Sequence, residues 1–379
     1  MADDERYLGI EALRFLSAVA VVFWHYQHFY LSVDDVFLVP FTRDREPLWW
    51  LFRAFYDHGY LAVWVFWQIS GFIFFWKYHE AIARGEVGSW RFFVLRFSRL
   101  YPLHFATLLV VAVLQGVYAL GHQGAFFVYA DNDLRHFALN LVFAPAWGFE
   151  KAMSFNGPIW SVSVEVVIYA LFFALSTLGR SGLVRRVAVA AVAIVLLGLN
   201  SRYGPVPGAR MILNCVAYFF IGGAIHATIA RLSPELLRRA APAALAAALV
   251  LAWATFRGET DTPKWAALGF TSLVVFGALG LDGWPAVERL LERVAPLADT
   301  TYSSYLVHFP IQIAAVALTD RLGFERSIYD SPLALIGFLL ATFWLGWVVF
   351  HRFERPAQTW LRRCMLTAVG GAKRSGAGG

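Results

Sequence analysis

The chain has 379 residues and is 59% apolar and 17% aromatic, but only 15% charged, against about 25% charged residues in a soluble domain. That balance excludes a single soluble globular domain and points to an all-α, polytopic membrane bundle. Two cysteines, Cys215 in an apolar run and Cys364 in a basic tail, exclude a disulfide framework and zinc-type ligand spacing.

A spanning helix needs about 20 mainly apolar residues. Ten segments approach this: 8–29, 59–77, 101–120, 160–179, 186–200, 209–230, 241–256, 265–281, 298–318 and 331–351. The fifth and seventh are short runs of Ala, Val and Leu. The first follows an acidic start, "MADDERY", without a small-residue cleavage site, so it reads as a retained helix and not a removed signal peptide. Ten spans put both termini on one side. With the cytoplasm there, Lys and Arg number 20 inside and 11 outside, and Arg14 lies within a span. This bias supports cytoplasmic termini. It explains the net charge of +6 by topology and contact with anionic membrane lipids, with no nucleic-acid partner needed. Residues 1–357 read as one transmembrane domain and 358–379 as a basic cytoplasmic tail ending in the disordered "GGAKRSGAGG".

The first span, "EALRFLSAVAVVFWHY", carries Arg14 and His25. Eleven positions at 100° bring His25 about 20° past three full turns from Arg14 and about 16 Å along the axis. Both therefore face one side. An arginine at the membrane centre costs on the order of 3 kcal/mol, so such residues usually face a bundle interior or a wet cavity. The plainer reading is an Arg14 that snorkels and a His25 at the interface. In the second span, "SGF" at Ser70–Phe72 allows close helix packing or close approach of a ligand. The next segment, "WRFFVLRFSRLYP", puts Arg96 and Arg99 at i, i+3 on one helix face. Such a pair can hold phosphate groups bidentately, or be ordinary inside charge. "NGPIWSVSVEVVIYALFF" places Glu165 about five residues into the fourth span, where a carboxylate needs a partner, either a helix–helix ion pair or a functional His or Arg. "TYSSYLVHFPI" places Tyr305 and His308 in the ninth span, and "RFERPAQ" puts Glu354 just inside the membrane. His308 reads as a satisfied core residue.

Six motifs, "LRFLSAVAVVFWH", "FWQISGFIFF", "RFSRLYP", "WSVSVE", "YSSYLVHFP" and "ERPA", occur in this order over nearly the whole chain. Together they resemble the membrane acyltransferase-3 family of polysaccharide and lipid-linked-sugar O-acetylases. Trp64 stands where that family commonly has an acidic or polar residue. The resemblance implies an enzyme of the bacterial inner membrane. It would move an acyl group, expected to be acetyl, from cytoplasmic acyl-coenzyme A to a hydroxyl of a carbohydrate or lipid-linked sugar at the outer face. No metal is expected. On this reading Arg96 and Arg99 hold the donor's phosphates, Arg14 lines the path and orients the thioester region, and His25 acts as general base or acylated nucleophile. Glu165 orients His25 or the acceptor. A transporter or flippase, or a non-catalytic partner of a polysaccharide synthase, would also suit ten helices with buried Arg, His and Glu, although no repeat symmetry is visible.

Overall fold

The computed structural model describes residues 6–31, 42–203, 206–256 and 263–375. Among these residues there is no strand, and the chain is built from α-helices. The first, α1 (Leu8–Trp24), tightens into a 3₁₀ turn over His25–Tyr30. Next, α2 (Trp49–His58) and α3 (Leu61–Lys77) form a pair bent by 57°. A short α4 (His79–Ala83) leads to α5 (Ser89–Gly121). The 33 residues of α5 span about 50 Å at 1.5 Å per residue, so its first turns project beyond a hydrocarbon core about 30 Å thick. After α6 (Leu134–Leu141) come α7 (Trp160–Thr177), α8 (Leu183–Tyr203), α9 (Ala209–Ile229), α10 (Pro234–Thr255) and α11 (Lys264–Leu279). The amphipathic α12 (Pro285–Ala298) precedes α13 (Thr301–Arg321) and α14 (Pro332–Val349), and a π-turn over Phe350–Glu354 joins α14 to α15 (Arg355–Ser375).

Among the described residues, eight helices are long and apolar enough to cross a membrane, and the bent α2–α3 pair, taken as one span, makes a ninth. The expected span at 298–318 is α13, which has the length but not the apolar surface. Its Ser303, Ser304, Tyr305, His308 and Gln312 are buried inside the bundle, where other helices shield them from lipid. The two short expected spans are longer, at Leu183–Tyr203 and Pro234–Thr255. The tail is helical as far as Ser375, because the π-turn carries the apolar α14 directly into it; residues 376–379 lie outside the described residues. The segment between α6 and α7 folds back onto the bundle: Trp147 Nε1 donates to Ser163 O of α7 at 2.9 Å.

Contacts at the helix ends define two ends of the bundle. Gly9 N, at the start of α1, donates to Asp282 Oδ1, just past α11, at 2.6 Å. His79, just past α3, accepts from Ser181 N, just past α7, at 2.8 Å. Arg186 of α8 donates to Gly223 O in α9 at 2.7 Å. Burial, with Arg186 nearby, holds the His79 imidazole down to about 4, so it is a neutral bridge. This near end therefore holds the starts of α1 and α8 and the ends of α3, α7 and α11. At the far end, His122 Nε2 pairs with Asp320 Oδ2 at 2.9 Å, and Tyr26 Oη donates to Tyr329 O at 2.8 Å.

Close packing depends on glycine where α3 meets α9. A Cβ on Gly71 would stand 1.8 Å from Phe219 O, and one on Gly222 would stand 1.9 Å from Gln68 O. The "SGF" of the second span is therefore a backbone-contact device of the small-residue type.

Candidate active site

A cavity of about 350 Å³ opens at the near end and runs between α1, α3, α5, α7 and α13. On α3 its lining extends from Val63 to Lys77, fourteen steps or about 21 Å along the axis. It therefore reaches through most of a hydrocarbon core about 30 Å thick. Arg14, Arg96, Arg99 and Glu165 all line it. The local causes differ. Arg14 stands on the inner face of α1, held by Glu11 at 2.8 Å and by Thr301 Oγ1 at 3.5 Å. Arg96 donates to Tyr78 Oη at 2.6 Å and lies over the Phe74 ring. Arg99, one turn on, has no ion pair or hydrogen bond among the described residues. Glu165 faces Ser70, Tyr169, Arg96 and Arg99, and its Oε1 has no hydrogen-bond partner.

Five cationic side chains and three carboxylates line the cavity. Glu11 is taken by Arg14 and Asp299 by Arg6, at 3.6 Å. That leaves Lys77, Arg96 and Arg99 against Glu165 alone. Lys77 is exposed at the rim and Arg96 and Arg99 are half-buried, so the near-end mouth carries an excess of positive charge.

His25 is not among the residues lining the cavity. It opens the 3₁₀ turn after α1, and its Nδ1 lies 3.0 Å from His308 Nε2, with the rings stacked at 4.9 Å. His308 Nδ1 is 2.6 Å from Tyr305 O. A carbonyl only accepts, so this nitrogen carries the proton. In neutral His308, Nε2 is then an acceptor, and His25 Nδ1 must donate to it. The proton-free nitrogen of His25 is therefore Nε2, an assignment that follows from the hydrogen-bond chain. Gln312 Nε2 donates to His25 O at 2.7 Å, and Gln312 Oε1 is 3.1 Å from His28 Nδ1. Pro310 removes the N–H that would meet Leu306 O, and Asn156 Nδ2 takes that carbonyl instead at 3.1 Å. This ties the "NGP" turn to α13.

Tyr305 separates the two parts. It lines the cavity, one turn before His308. Its hydroxyl donates to Pro158 O at 2.5 Å and lies 2.9 Å from Ser161 Oγ. The structure thus brings Arg14, Arg96, Arg99 and Glu165 to one cavity, and sets His25 just beyond its inner wall. Glu165 makes no hydrogen bond to His25. His308 is more than the core residue expected, because it is the direct partner of His25. The spacing of Tyr305, His308 and Gln312, i, i+3 and i+7 on one face of an otherwise apolar helix, was the available signal. Glu354 is buried in the π-turn and accepts a hydrogen bond from Ser303 Oγ. Trp64 stacks on Tyr218 at 5.1 Å.

The fold and this site define a polytopic helical membrane protein with a deep cationic cavity and an oriented histidine pair. A family model described as an acyltransferase domain matches residues 7–351. The chain belongs to this acyltransferase-3 family and is a membrane acyltransferase. It is 28% identical to "Protein 2 in picA locus" of Rhizobium radiobacter over 209 residues, which is 51% of this chain and 94% of that protein. It is 29% identical to "Acyltransferase MdmB" of Streptomyces mycarofaciens over 116 residues, which is 30% of this chain and 27% of that protein. No solved structure matches.

Proposed function

We propose that the protein is an integral O-acyltransferase of a bacterial inner membrane. It takes an acyl group, specifically acetyl, from cytoplasmic acyl-coenzyme A and passes it to a hydroxyl of a carbohydrate or lipid-linked sugar at the outer face. The observation behind this reading is the convergence of Arg14, Arg96, Arg99 and Glu165 on one cavity that ends a helical turn from the His25–His308 pair. The near end, where α1 starts and α15 packs on α5, carries the Lys and Arg excess counted from the sequence, which favours the cytoplasm on that side. Arg96 and Arg99 hold donor phosphates at the mouth, and Arg14 orients the thioester region deeper in.

In the reaction, the acceptor hydroxyl loses its proton to His25 Nε2 as its oxygen bonds to the thioester carbonyl carbon. The C–S bond then breaks, and the thiolate takes the proton back from His25. The products are an ester and a free thiol. His308 keeps Nδ1 of His25 protonated and Nε2 free throughout. The contacts of Tyr305 with Ser161 and Pro158 open for the thioester to pass; closed, they hold the donor away from outer-side water.

Purified protein with acetyl-coenzyme A tests the reading. Slow, His25-dependent release of thiol is expected. A carrier or an assembly partner would release none, and that result would overturn the proposal. Mass spectrometry of surface glycans with and without the gene then identifies the acceptor.

A further inference from the structure

The C-terminal helix brings a basic residue, outside the motifs, within electrostatic reach of two arginines that line the cavity. Trp90 Nε1, in the first turn of α5, donates to Met365 O of α15 at 3.4 Å, which seats α15 across the start of α5. One turn of α15 earlier stands Arg362, half-buried. The charged side chains within electrostatic reach of Arg362 are Arg96 and Arg99, with the Tyr78 phenol beside them. No carboxylate is among these neighbours. Arg362 Nε and Arg96 Nε are both buried without a hydrogen-bond partner. Tyr78 Oη is engaged by Arg96, and Arg99 has no ion pair or hydrogen bond among the described residues.

Three guanidinium groups from two helices thus converge with donors left over; Glu165 faces Arg96 and Arg99 and Glu354 acts on Arg99, but no carboxylate stands beside Arg362. Like charges so placed repel, and fully buried donors without acceptors are costly. Both penalties are relieved by one ligand: an anion with more than one negative charge and several acceptor oxygens. A carboxylate offers one charge and two oxygens. A phosphate dianion offers two charges and three acceptor oxygens, and its geometry suits the planar arginine fork. We infer that Arg362 completes, with Arg96 and Arg99, a three-arginine phosphate site at the near-end mouth, so that α15 is part of the binding machinery. Only the source of the phosphate rests on the donor reading given above. It is the 3′-phosphate or diphosphate of the donor nucleotide, and the headgroup of an anionic lipid has the same chemistry.

The test uses the full chain in nanodiscs of zwitterionic lipid, titrated with adenosine 3′,5′-bisphosphate by calorimetry. Arg362→Ala is expected to weaken binding about tenfold or more, in line with loss of a charge-assisted hydrogen bond. Arg363→Ala, on the exposed face, should bind like the unaltered protein. Arg362→Lys keeps the charge without the fork and should fall between; it also serves if Arg362→Ala does not insert. In a second arm, phosphatidylglycerol retained through detergent purification is weighed for the same variants. Loss of lipid with unchanged nucleotide binding supports the site with a lipid headgroup as its ligand. If Arg362→Ala alters neither bisphosphate nor lipid binding, the inference is overturned. If the unaltered protein binds lipid but no bisphosphate, the donor reading fails while the arginine site stands.

Discussion

His25 has two ring nitrogens, and the neighbours of one decide the work of the other. Because Nδ1 is committed to His308, Nε2 is the atom that can take a proton. His25→Gln keeps size and hydrogen bonding but accepts no proton at neutral pH. It should lower acyl transfer by about 10²-fold or more while insertion and size-exclusion behaviour stay normal. In the proposed reaction His308 is a positioning residue. His308→Gln can still accept from His25 through its amide oxygen and donate to Tyr305 O, so a loss of about tenfold is expected. His308→Leu can do neither and should lose on the order of 10²-fold, the lower bound for general-base loss. Rescue of transfer in Gln relative to Leu, read from kcat, separates orientation from packing. For the donor, Arg96→Ala and Arg99→Ala should raise KM for acetyl-coenzyme A much more than for a short thioester without the nucleotide. The lost contacts are charge-assisted bonds worth roughly 1.5–3 kcal/mol. Equal effects on both donors would make these arginines structural.

At the scale of elements, the bundle is held where backbones touch. The α3–α9 crossing has no room for a methyl group at Gly71 or Gly222, since the nearest atom in each case is a backbone carbonyl oxygen. Gly71→Ala and Gly222→Ala should each destabilise the protein at or beyond the upper end of the roughly 1–3 kcal/mol usual for overpacking, read as a lower melting temperature in detergent. Gly116→Ala is the control, because nothing lies within 4 Å of its Cβ position. The same crossing places Gln68, Ser70 and Phe74 against α9 and the cavity, so these glycines also set the cavity's width. The π-turn at Phe350–Glu354 has a comparable role. It turns Glu354 inward to Ser303 while the helix continues, and α15 lies against α5.

The whole molecule is a two-ended object, and the proposed function requires that the ends face different compartments. Gln123 and Gly182 are both exposed. They follow the far end of α5 and the near end of α7. In a background with Cys364 replaced, Gln123→Cys should label with an impermeant thiol reagent from outside intact cells, and Gly182→Cys only after the membrane is opened. The native Cys364, exposed on α15, should behave like Gly182→Cys; Cys215 is buried and should not label from either side. Equal labelling of Gln123→Cys and Gly182→Cys would remove the separation of donor and acceptor on which the proposed reaction depends.

Sequence by itself determined the class and the place of most apolar spans, though not their full lengths, and it singled out Arg14, His25, Arg96, Arg99 and Glu165 as candidates. These are legible because a charged side chain in an apolar run is expensive wherever the run ends up, so its presence alone signals use. The near-common face of Arg14 and His25 follows from helical geometry within one element. Only the tertiary structure decided which of these residues meet. His25 pairs with His308 across 283 positions of chain, and Arg362 comes within electrostatic reach of Arg96 from a helix whose basic composition reads as a plain tail. It also decided that α13, expected as an ordinary span, keeps its polar side chains buried inside the bundle. The reason is physical: periodicity fixes the face a side chain takes on its own helix, whereas the partner on the opposite face is set by which helices pack together, and at the α3–α9 crossing that is fixed by two glycines and the oxygen atoms they admit.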